Sequence, residues 1–281
     1  MKVLLIGCGY IGHRLIEKSK FKDKITAIDY DVDKKDDVDI LADYRDLRTD
    51  FLKQFTHIIW LAGHSSVPQS ISDPAGCISN NLSGLIGLTE KYKNTLIYAS
   101  SGSVYSGVDC EFCSEDSPLG TPYNIYDFTK TSFDNYQLLN KSAIVGLRFG
   151  TVVGAGKYMR DELLLNSMVK AAVNESIVRV ANNSNYRPVL WIDDLIDAID
   201  ILLNSDPQKL SRVYNLYSTV NTMGGFAEAV SKKFSVPIKN MGNSQTYNFG
   251  MSNELFEKSF DYKFTSNINL ILENIANFWK K

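Results

Sequence analysis

The segment that most constrains the fold lies within the first 19 residues, where a short apolar run meets a glycine-rich turn. Val3–Ile6 is entirely aliphatic, and Gly7-Cys8-Gly9-Tyr10-Ile11-Gly12 follows it directly. The amphipathic pattern of Ile11–Ser19 then predicts a helix. Glycines at this spacing permit a tight strand-to-helix turn whose backbone N–H groups, with the helix N-terminus, can bind a pyrophosphate. The residues predicted to contact such a dinucleotide are Gly7, Gly9, Tyr10, Ile11 and Gly12.

Apolar runs alternate with amphipathic stretches through the first 150 residues. The runs lack the polar alternation of a half-solvated sheet, which favours parallel strands buried on both faces. Further strands are predicted at Ile25–Ile28, Ile58–Ala62, Leu96–Ala99 and Ile144–Leu147, and further helices at roughly Pro74–Tyr92 and at Phe128–Leu139. This alternation predicts an α/β fold with a Rossmann-type, doubly wound parallel sheet.

The pattern loosens after Arg148. Helices are predicted at Glu162–Val173, Asp193–Leu203, Phe226–Phe234 and Ile268–Trp279, and strands at Ile177–Val180 and Val213–Leu216. We therefore expect a Rossmann domain over residues 1–150 and a smaller, mainly substrate-binding lobe over residues 151–281. Segments near 177–216 are expected to return to the first domain.

Charge and composition exclude several classes of protein. The 281 residues carry 30 Lys and Arg against 32 Asp and Glu, so there is no basic excess for a nucleic acid or an anionic membrane. Four cysteines are too few for a disulfide scaffold and fit a reducing cytoplasm. No apolar run is long enough for a membrane span or a signal peptide. We expect a cytoplasmic protein with no nucleic-acid or membrane partner.

A carboxylate follows the second predicted strand. Asp29 directly succeeds Ile28, 17 residues beyond Gly12. A carboxylate there can accept hydrogen bonds from both hydroxyls of an adenosine ribose and would repel a 2′-phosphate, and no arginine follows to offset the repulsion. The position favours NAD over NADP, although a turn-capping aspartate would give the same sequence.

Candidate catalytic groups follow later strands. Tyr126 and Lys130 are spaced to share one helix face, where the ammonium would stabilise a phenolate and make the tyrosine a base near neutral pH. Ser101 and Ser103 follow the predicted strand Leu96–Ala99, at the sheet edge where ligands bind in open α/β folds. Alternatively, the Tyr–Lys pair is a solvated helix face and the serines satisfy local backbone groups.

In order and spacing these residues resemble the extended short-chain dehydrogenase/reductase family, in its nucleotide-sugar epimerase/dehydratase branch. The segments that carry the resemblance are the glycine loop, Asp29, Leu41–Asp46, Leu61–Val67, Asn81–Gly84, Ser101, Tyr126, Lys130 and Arg187–Asp194. The resemblance implies a catalytic set of Ser101, Tyr126 and Lys130, with Tyr126 and Lys130 also contacting the cofactor. It places Asp43 and Tyr44 near adenine, and Leu61, Ala62 and Gly63 beneath the nicotinamide. It implies substrate contacts from Ser101, Ser103, Thr151, Asn166 and Arg187, with Arg187 on the diphosphate.

The same resemblance implies NAD as cofactor, a nucleotide-diphosphate sugar as substrate, and a homodimer formed through the helices that start near Pro74 and Phe128. Dehydratases of this branch resemble one another in having an acidic pair after the catalytic hydroxyl residue. Gly102 and Ser103 occupy those positions here and cannot act as acid and base. We therefore expect an epimerase that acts through a transient 4-keto sugar. A reductase of a 4-keto-6-deoxy sugar and a catalytically silent nucleotide-binding protein are the alternatives.

Cys110 and Cys113 form the only Cys-x-x-Cys pair. Structural zinc usually requires a second such pair or added histidines, so no metal is predicted. A packing role for this loop is favoured, and a reductase that uses a cysteine as acid is the alternative.

Overall fold

A computed structural model describes residues 1–108, 110–140, 142–244, 246–265 and 267–280. Its strands, in chain order, are β1 Val3–Ile6, β2 Ile25–Asp29, β3 Ile40–Leu41, β4 His57–Trp60, β5 Thr95–Ala99, β6 Phe112–Cys113, β7 Ile144–Phe149, β8 Thr151–Val153, β9 Val178–Val180, β10 Tyr186–Trp191, β11 Val213–Leu216, β12 Thr219–Thr222, β13 Ile238–Asn240 and β14 Gly250–Met251.

The α-helices are α1 Tyr10–Lys18, α2 Thr49–Leu52, α3 Val67–Ser72, α4 Pro74–Ile78, α5 Leu85–Lys91, α6 Ile125–Leu139, α7 Leu164–Glu175, α8 Ile192–Leu203, α9 Met223–Phe234, α10 Glu254–Phe260 and α11 Ile268–Trp279. A π-helical stretch, Ser79–Gly84, joins α4 to α5, so the helix predicted over Pro74–Tyr92 is helical with a widened middle. Within the ranges described, no helix is both long enough and apolar enough to cross a bilayer.

The main sheet has seven strands in the order β11-β7-β5-β4-β1-β2-β3. In this sheet, every pair of neighbouring strands between β7 and the edge strand β3 is parallel. All four residues of β1 are buried, as are the first four of β5, which is why these runs show no polar alternation. The predicted Rossmann-type parallel sheet is confirmed. Several strand ends differ from the prediction: the run Ile58–Ala62 leaves the sheet after Trp60, and β7 continues beyond Leu147 to Phe149.

The chain forms two compact units. The first comprises Met1–Val104, Thr121–Arg148 and Ile196–Tyr214, and the second comprises Tyr105–Gly120, Phe149–Leu195 and Asn215–Lys281. In the first unit an apolar cluster that includes Leu4, Trp60, Tyr98 and Phe133 fills the space between strands and helices.

The second unit has its own core, in which α7, α9 and α11 pack together through residues such as Val169, Phe226 and Ile275. It contains a three-stranded sheet in the order β12-β10-β8, with β10 parallel to β8 and antiparallel to β12. Two of the predicted substrate contacts lie in this small sheet: Thr151 is in β8 and Arg187 is in β10.

Candidate active site

A side chain at two of the three glycines of the loop would collide with backbone atoms. Gly7 has a φ of +100°, and a Cβ there would lie 2.5 Å from the Ala62 backbone nitrogen. A Cβ on Gly12 would overlap the Gly7 carbonyl oxygen, so the first turn of α1 rests directly on the loop. Around Gly9, in contrast, a Cβ would meet nothing within 4 Å. The loop is therefore closed on its protein side and open at Gly9, as close approach of a pyrophosphate requires.

Asp29 binds the glycine loop. Its carboxylate accepts a hydrogen bond from the Cys8 backbone nitrogen at 2.8 Å and one from Asp31 nitrogen at 3.0 Å. Lys34 forms an ion pair with it at 3.3 Å. Asp29 thus orders the loop, and its Oδ1 keeps acceptor capacity for a ribose hydroxyl. No arginine follows Asp29 in the sequence, as noted above. The ion pair with Lys34 was not predicted.

Asp43 and Tyr44, predicted near adenine, have different environments. Asp43 is paired with Arg45, whose guanidinium lowers the pKa of the Asp43 carboxyl. The Tyr44 side chain is buried, where it donates a hydrogen bond to the Asn80 carbonyl and packs edge-on against Trp60. A contact from Tyr44 to a cofactor would therefore come from its backbone.

Residues Leu61, Ala62 and Gly63 follow β4 as the chain leaves the sheet. Leu61 nitrogen donates to the Ile6 carbonyl at 2.7 Å, which ties this segment to the end of β1. A Cβ on Gly63 would lie 3.3 Å from the Trp60 ring and 3.4 Å from Lys130 Nζ. The small residue at position 63 therefore leaves room for the lysine.

Helix α6 begins at Ile125, so Tyr126 and Lys130 lie one turn apart on it. The Lys130 ammonium is 5.6 Å from the Tyr126 ring centroid and donates a 2.7 Å hydrogen bond to the Ala99 carbonyl, at the end of β5. It also lies 5.0 Å from the Trp60 ring, within cation–π range. Burial lowers the pKa of Lys130 to about 8, and the nearby Asp134 carboxylate opposes that shift.

The serines after β5 are linked to the same helix. Ser101 Oγ and Ser103 Oγ are 2.9 Å apart, and Ser103 Oγ donates to Asp127 at 2.7 Å. The structure therefore brings Ser101, Ser103, Tyr126 and Lys130 together at the carboxyl end of β5, all within the first unit. Asp127 joins this group without having been predicted from the sequence.

In the second unit, Thr151 opens β8 beside Val189 of β10. Asn166 is fully buried, and its amide bonds the Gly154 nitrogen and the Arg160 carbonyl, so it orders a loop. Arg187 is 8% exposed, bonds Thr246 at 3.2 Å and lies 5.4 Å from the Tyr247 ring. Burial lowers its pKa to about 10. Within the described chain no carboxylate pairs with Arg187.

The sequence model of the NAD dependent epimerase/dehydratase family matches residues 3–216. The chain belongs to this family.

Curated relatives in this epimerase/dehydratase family include Protein CapI of Staphylococcus aureus, 29% identical over 220 residues that cover 69% of this chain and 65% of CapI. UDP-glucuronate 4-epimerase 6 of Arabidopsis thaliana is 27% identical over 256 residues, which cover 80% of this chain and 55% of that protein. The chain therefore spans about 55% to 65% of the length of these curated relatives.

Solved structures share the fold. The NAD-dependent NDP-hexosamine 5,6-dehydratase TunA, involved in tunicamycin biosynthesis, has a TM-score of 0.85 at 18% identity, covering 99% of this chain and 97% of that one. A UDP-glucuronic acid 4-epimerase from Bacillus cereus has a TM-score of 0.85 at 20% identity, covering 100% and 99%. At these identities the likeness shows the fold.

Cys110 and Cys113 form a disulfide in this family member. A packing role was expected for the loop, and a bond between the two cysteines was not foreseen. Cys110 lies two residues before β6, and Cys113 is the last residue of β6. This strand pairs in parallel with β14. The described residues contain no group of three or more His, Cys, Asp or Glu arranged to hold a metal ion.

Lys130→Met is expected to stabilise the cofactor-free protein at pH 7. The depressed pKa of Lys130 means that the buried ammonium destabilises the folded chain by roughly 3 kcal/mol. The variant removes this cost but leaves the Ala99 carbonyl without its hydrogen bond, which lowers stability by about 1 kcal/mol. The net gain in the free energy of unfolding is about 2 kcal/mol, measured by chemical denaturation.

The pH dependence of that gain checks its cause. Between about pH 8 and 10.5 the folded chain has released the Lys130 proton and the unfolded chain has not, so wild-type stability rises with pH in this window. The advantage of Lys130→Met should therefore shrink above pH 8. Lys93→Met, at an exposed lysine, is the control. It should change neither the free energy of unfolding at pH 7 nor the dependence of that free energy on pH. A Lys130→Met variant less stable than wild type at pH 7 would contradict the cause given.

Proposed function

We propose that this chain is an NAD-dependent epimerase of a nucleotide-diphosphate sugar that acts through a transient 4-keto intermediate. The observation that carries the proposal is the grouping of Tyr126, Lys130 and Ser101 at the carboxyl end of β5. A phenol, a buried ammonium and a hydroxyl in this arrangement can exchange a proton with a secondary alcohol and stabilise the resulting carbonyl.

The glycine loop, Asp29 and the segment Leu61–Gly63 fit a dinucleotide. The loop is open at Gly9 and closed at Gly7 and Gly12, and Asp29 offers acceptor capacity beside it. These groups would hold the pyrophosphate, a ribose and the nicotinamide side, respectively. Bound NAD supplies a reversible hydride acceptor for C4 of the sugar.

Tyr126 would accept the proton of the sugar 4-hydroxyl. Lys130 lies 5.6 Å from its ring and, as an ammonium, favours the phenolate. The hydrogen bond to the Ala99 carbonyl fixes the position of the lysine side chain, so the ammonium charge stays beside Tyr126. Ser101 would donate a hydrogen bond to the 4-oxygen as the carbonyl develops. After the sugar turns over, the same Tyr126 returns the proton.

Arg187 would hold the diphosphate while the sugar turns. A guanidinium that is 8% exposed, with no carboxylate partner within the described chain, supports binding of an anion there. Thr151 is proposed as a further substrate contact. Asn166 is proposed to act through the Gly154 and Arg160 backbone that it holds. The names of two relatives make UDP-glucuronate the first substrate to try, with UDP-glucose as the second.

Dehydration is the competing outcome, since family members include dehydratases. Gly102 and Ser103 stand directly after Ser101, and neither side chain is an acid that could expel water. This absence favours epimerisation. A 4-keto-sugar reductase would release its oxidised cofactor in every turnover, whereas an epimerase regenerates the cofactor it starts with.

The test is to incubate the purified chain with each UDP-sugar and substoichiometric NAD and follow anomeric protons by NMR. We expect a second anomeric doublet to grow to equilibrium, with no net NADH absorbance at 340 nm. The Tyr126→Phe variant serves as the inactive background. Loss of the anomeric starting signal to an unsaturated or 6-deoxy product would contradict the epimerase assignment, as would stoichiometric consumption of NADH with a 4-keto sugar.

A further inference from the structure

One lysine is shared by two carboxylates beside the glycine loop. Lys34 Nζ lies 3.3 Å from Asp29 Oδ2 and 3.3 Å from Asp31 Oδ2. Asp29 Oδ2 also accepts from the Cys8 nitrogen, and Asp29 Oδ1 accepts from the Asp31 nitrogen. Three N–H donors, one of them a cation, therefore point at the Asp29 carboxyl, which binds them as an ionised acceptor. These residues all belong to the first unit.

The charges of Lys34 and Asp31 are stabilised in this arrangement. Burial opposes the positive charge of Lys34, but the carboxylates of Asp29 and Asp31 outweigh burial and raise the pKa of the lysine. The Asp33 backbone N–H and the Lys34 ammonium lower the pKa of the Asp31 carboxyl. At neutral pH the side chains of Asp29, Asp31 and Lys34 therefore carry two negative charges and one positive charge.

Helix capping accounts for only one oxygen of Asp31. Asp31 is the N-cap of the short 3₁₀ helix Val32–Lys34, and its Oδ1 accepts from the Asp33 nitrogen at 3.1 Å. Its Oδ2 is not used in the cap and pairs with Lys34. An asparagine caps as well as an aspartate does, so the cap does not require a carboxylate here. The ion pair with Lys34 is what a carboxylate adds.

We propose that Asp31 is a specificity-determining residue that favours NAD over NADP by engaging Lys34, whose ammonium would otherwise bind a 2′-phosphate. NADP differs from NAD by a phosphate on the 2′-oxygen of the adenosine ribose, and dinucleotide sites accommodate it with a basic side chain nearby. Lys34 is a basic side chain beside the carboxylate proposed to serve that ribose, but its ammonium is committed to Asp29 and Asp31. The inference rests on the dinucleotide site of the proposed function, and it adds a second determinant to Asp29.

Asp31→Asn should weaken the discrimination between the two cofactors. The asparagine oxygen keeps the bond to the Asp33 nitrogen, and the NH2 group that replaces Oδ2 is a donor that cannot accept from Lys34. The lysine then loses the Asp31 carboxylate, and its ammonium can bind a phosphate as well as Asp29. We expect the Kd for NADP to fall about tenfold, the order of one hydrogen bond to a charged group. The Kd for NAD should stay within about threefold of wild type, because NAD has no 2′-phosphate.

A change at Lys34 tests whether Asp31 acts through the lysine or by its own charge. In the Lys34→Gln background, Asp31→Asn should lower the Kd for NADP by less than about threefold, because no ammonium remains to be released. The Asp31 side chain is 39% exposed, so solvent and salt screen its own charge. Asp33→Asn is the matched control: it removes the same charge from an exposed aspartate two positions along and keeps Lys34 on both of its carboxylates. It should leave both Kd values within about twofold of wild type.

The experiment measures the Kd of each variant for NAD and for NADP by calorimetry, and the melting temperature of each cofactor-free chain checks folding. Asp31→Ser, whose hydroxyl also caps, is measured beside Asp31→Asn and should give the same gain for NADP. Wild type should bind NADP at least about tenfold more weakly than NAD.

A wild type that binds neither cofactor overturns the proposed dinucleotide site and this inference with it. A wild type that binds NAD without epimerising a sugar nucleotide overturns only the proposed activity, since the Kd values still test the inference. Equal binding of the two cofactors by wild type overturns the inference alone. So does an unchanged Kd for NADP in normally melting Asp31 variants, or an equal gain with and without Lys34.

Discussion

Replacing Tyr126 with phenylalanine is expected to lower kcat by about 10³-fold or more while leaving the cofactor affinity within about threefold of wild type. The substitution removes only the phenolic oxygen, which is the group proposed to exchange a proton with the sugar. The ring, its packing beside the Lys130 ammonium and the bond from Lys130 to the Ala99 carbonyl remain. Turnover is measured by anomeric NMR, and NAD affinity by calorimetry.

Tyr136→Phe is the control for this change, since it removes the same atom from the same helix. The Tyr136 hydroxyl bonds Thr89 and Glu90 and belongs to no proposed site. Its loss should cost about 1 kcal/mol of stability and leave kcat intact. If Tyr126→Phe retained a tenth of wild-type turnover, the proton exchange would have to be assigned to another residue.

Alanine at Gly12 is expected to reduce stability sharply and abolish NAD binding, whereas alanine at Gly9 should reduce only the binding. A methyl group at position 12 overlaps the Gly7 carbonyl oxygen, and backbone cannot rotate away as a flexible side chain can. We expect a loss of about 3 kcal/mol or more, seen as a large fall in melting temperature without cofactor. At Gly9 a methyl meets no protein atom within 4 Å, so the cofactor-free melting temperature should stay unchanged.

The two glycines then separate in a titration with NAD. Wild type should gain melting temperature with NAD concentration, as expected for a ligand that binds only the folded state. Gly9→Ala should need at least tenfold more NAD for the same gain, because its methyl group occupies the side open to the pyrophosphate. Gly87→Ala, in α5 with open space around it, is the control and should be neutral or slightly stabilising. Equal NAD responses in Gly9→Ala and wild type would place the pyrophosphate elsewhere.

Local sequence was sufficient for six of the seven strands of the large sheet, and the two-residue strand β3 was not predicted. The apolar runs at Val3–Ile6 and Leu96–Ala99 have too few polar residues for a solvated face, and both are buried strands in the sheet. The glycine spacing predicted the strand-to-helix turn because backbone sterics, unlike side-chain packing, depend on residues adjacent in sequence. The i, i+4 spacing of Tyr126 and Lys130 predicted a shared helix face for the same reason.

Contacts between distant segments were not accessible in this way. Asp127 lies just before the predicted helix Phe128–Leu139 and was not singled out from the sequence, and its bond to Ser103 exists because α6 packs beside the end of β5. The ion pair of Lys34 with Asp29 was missed although Lys34 lies only five positions after Asp29, because the short 3₁₀ helix Val32–Lys34 that brings them together was not predicted. The disulfide of Cys110 and Cys113 was missed because the Cys-x-x-Cys spacing alone did not separate a disulfide from loop packing.

The sequence by itself determined the alternation of strands and helices, the glycine turn and the residue types available for chemistry, since each depends on neighbours along the chain. Tertiary structure alone decided which of these groups meet. It buried Lys130 against Trp60 and lowered the pKa of the lysine to about 8, and it connected Ser101 to a carboxylate through Ser103. Desolvation and hydrogen-bond direction are properties of a packed environment, and packing joins residues that lie far apart in sequence.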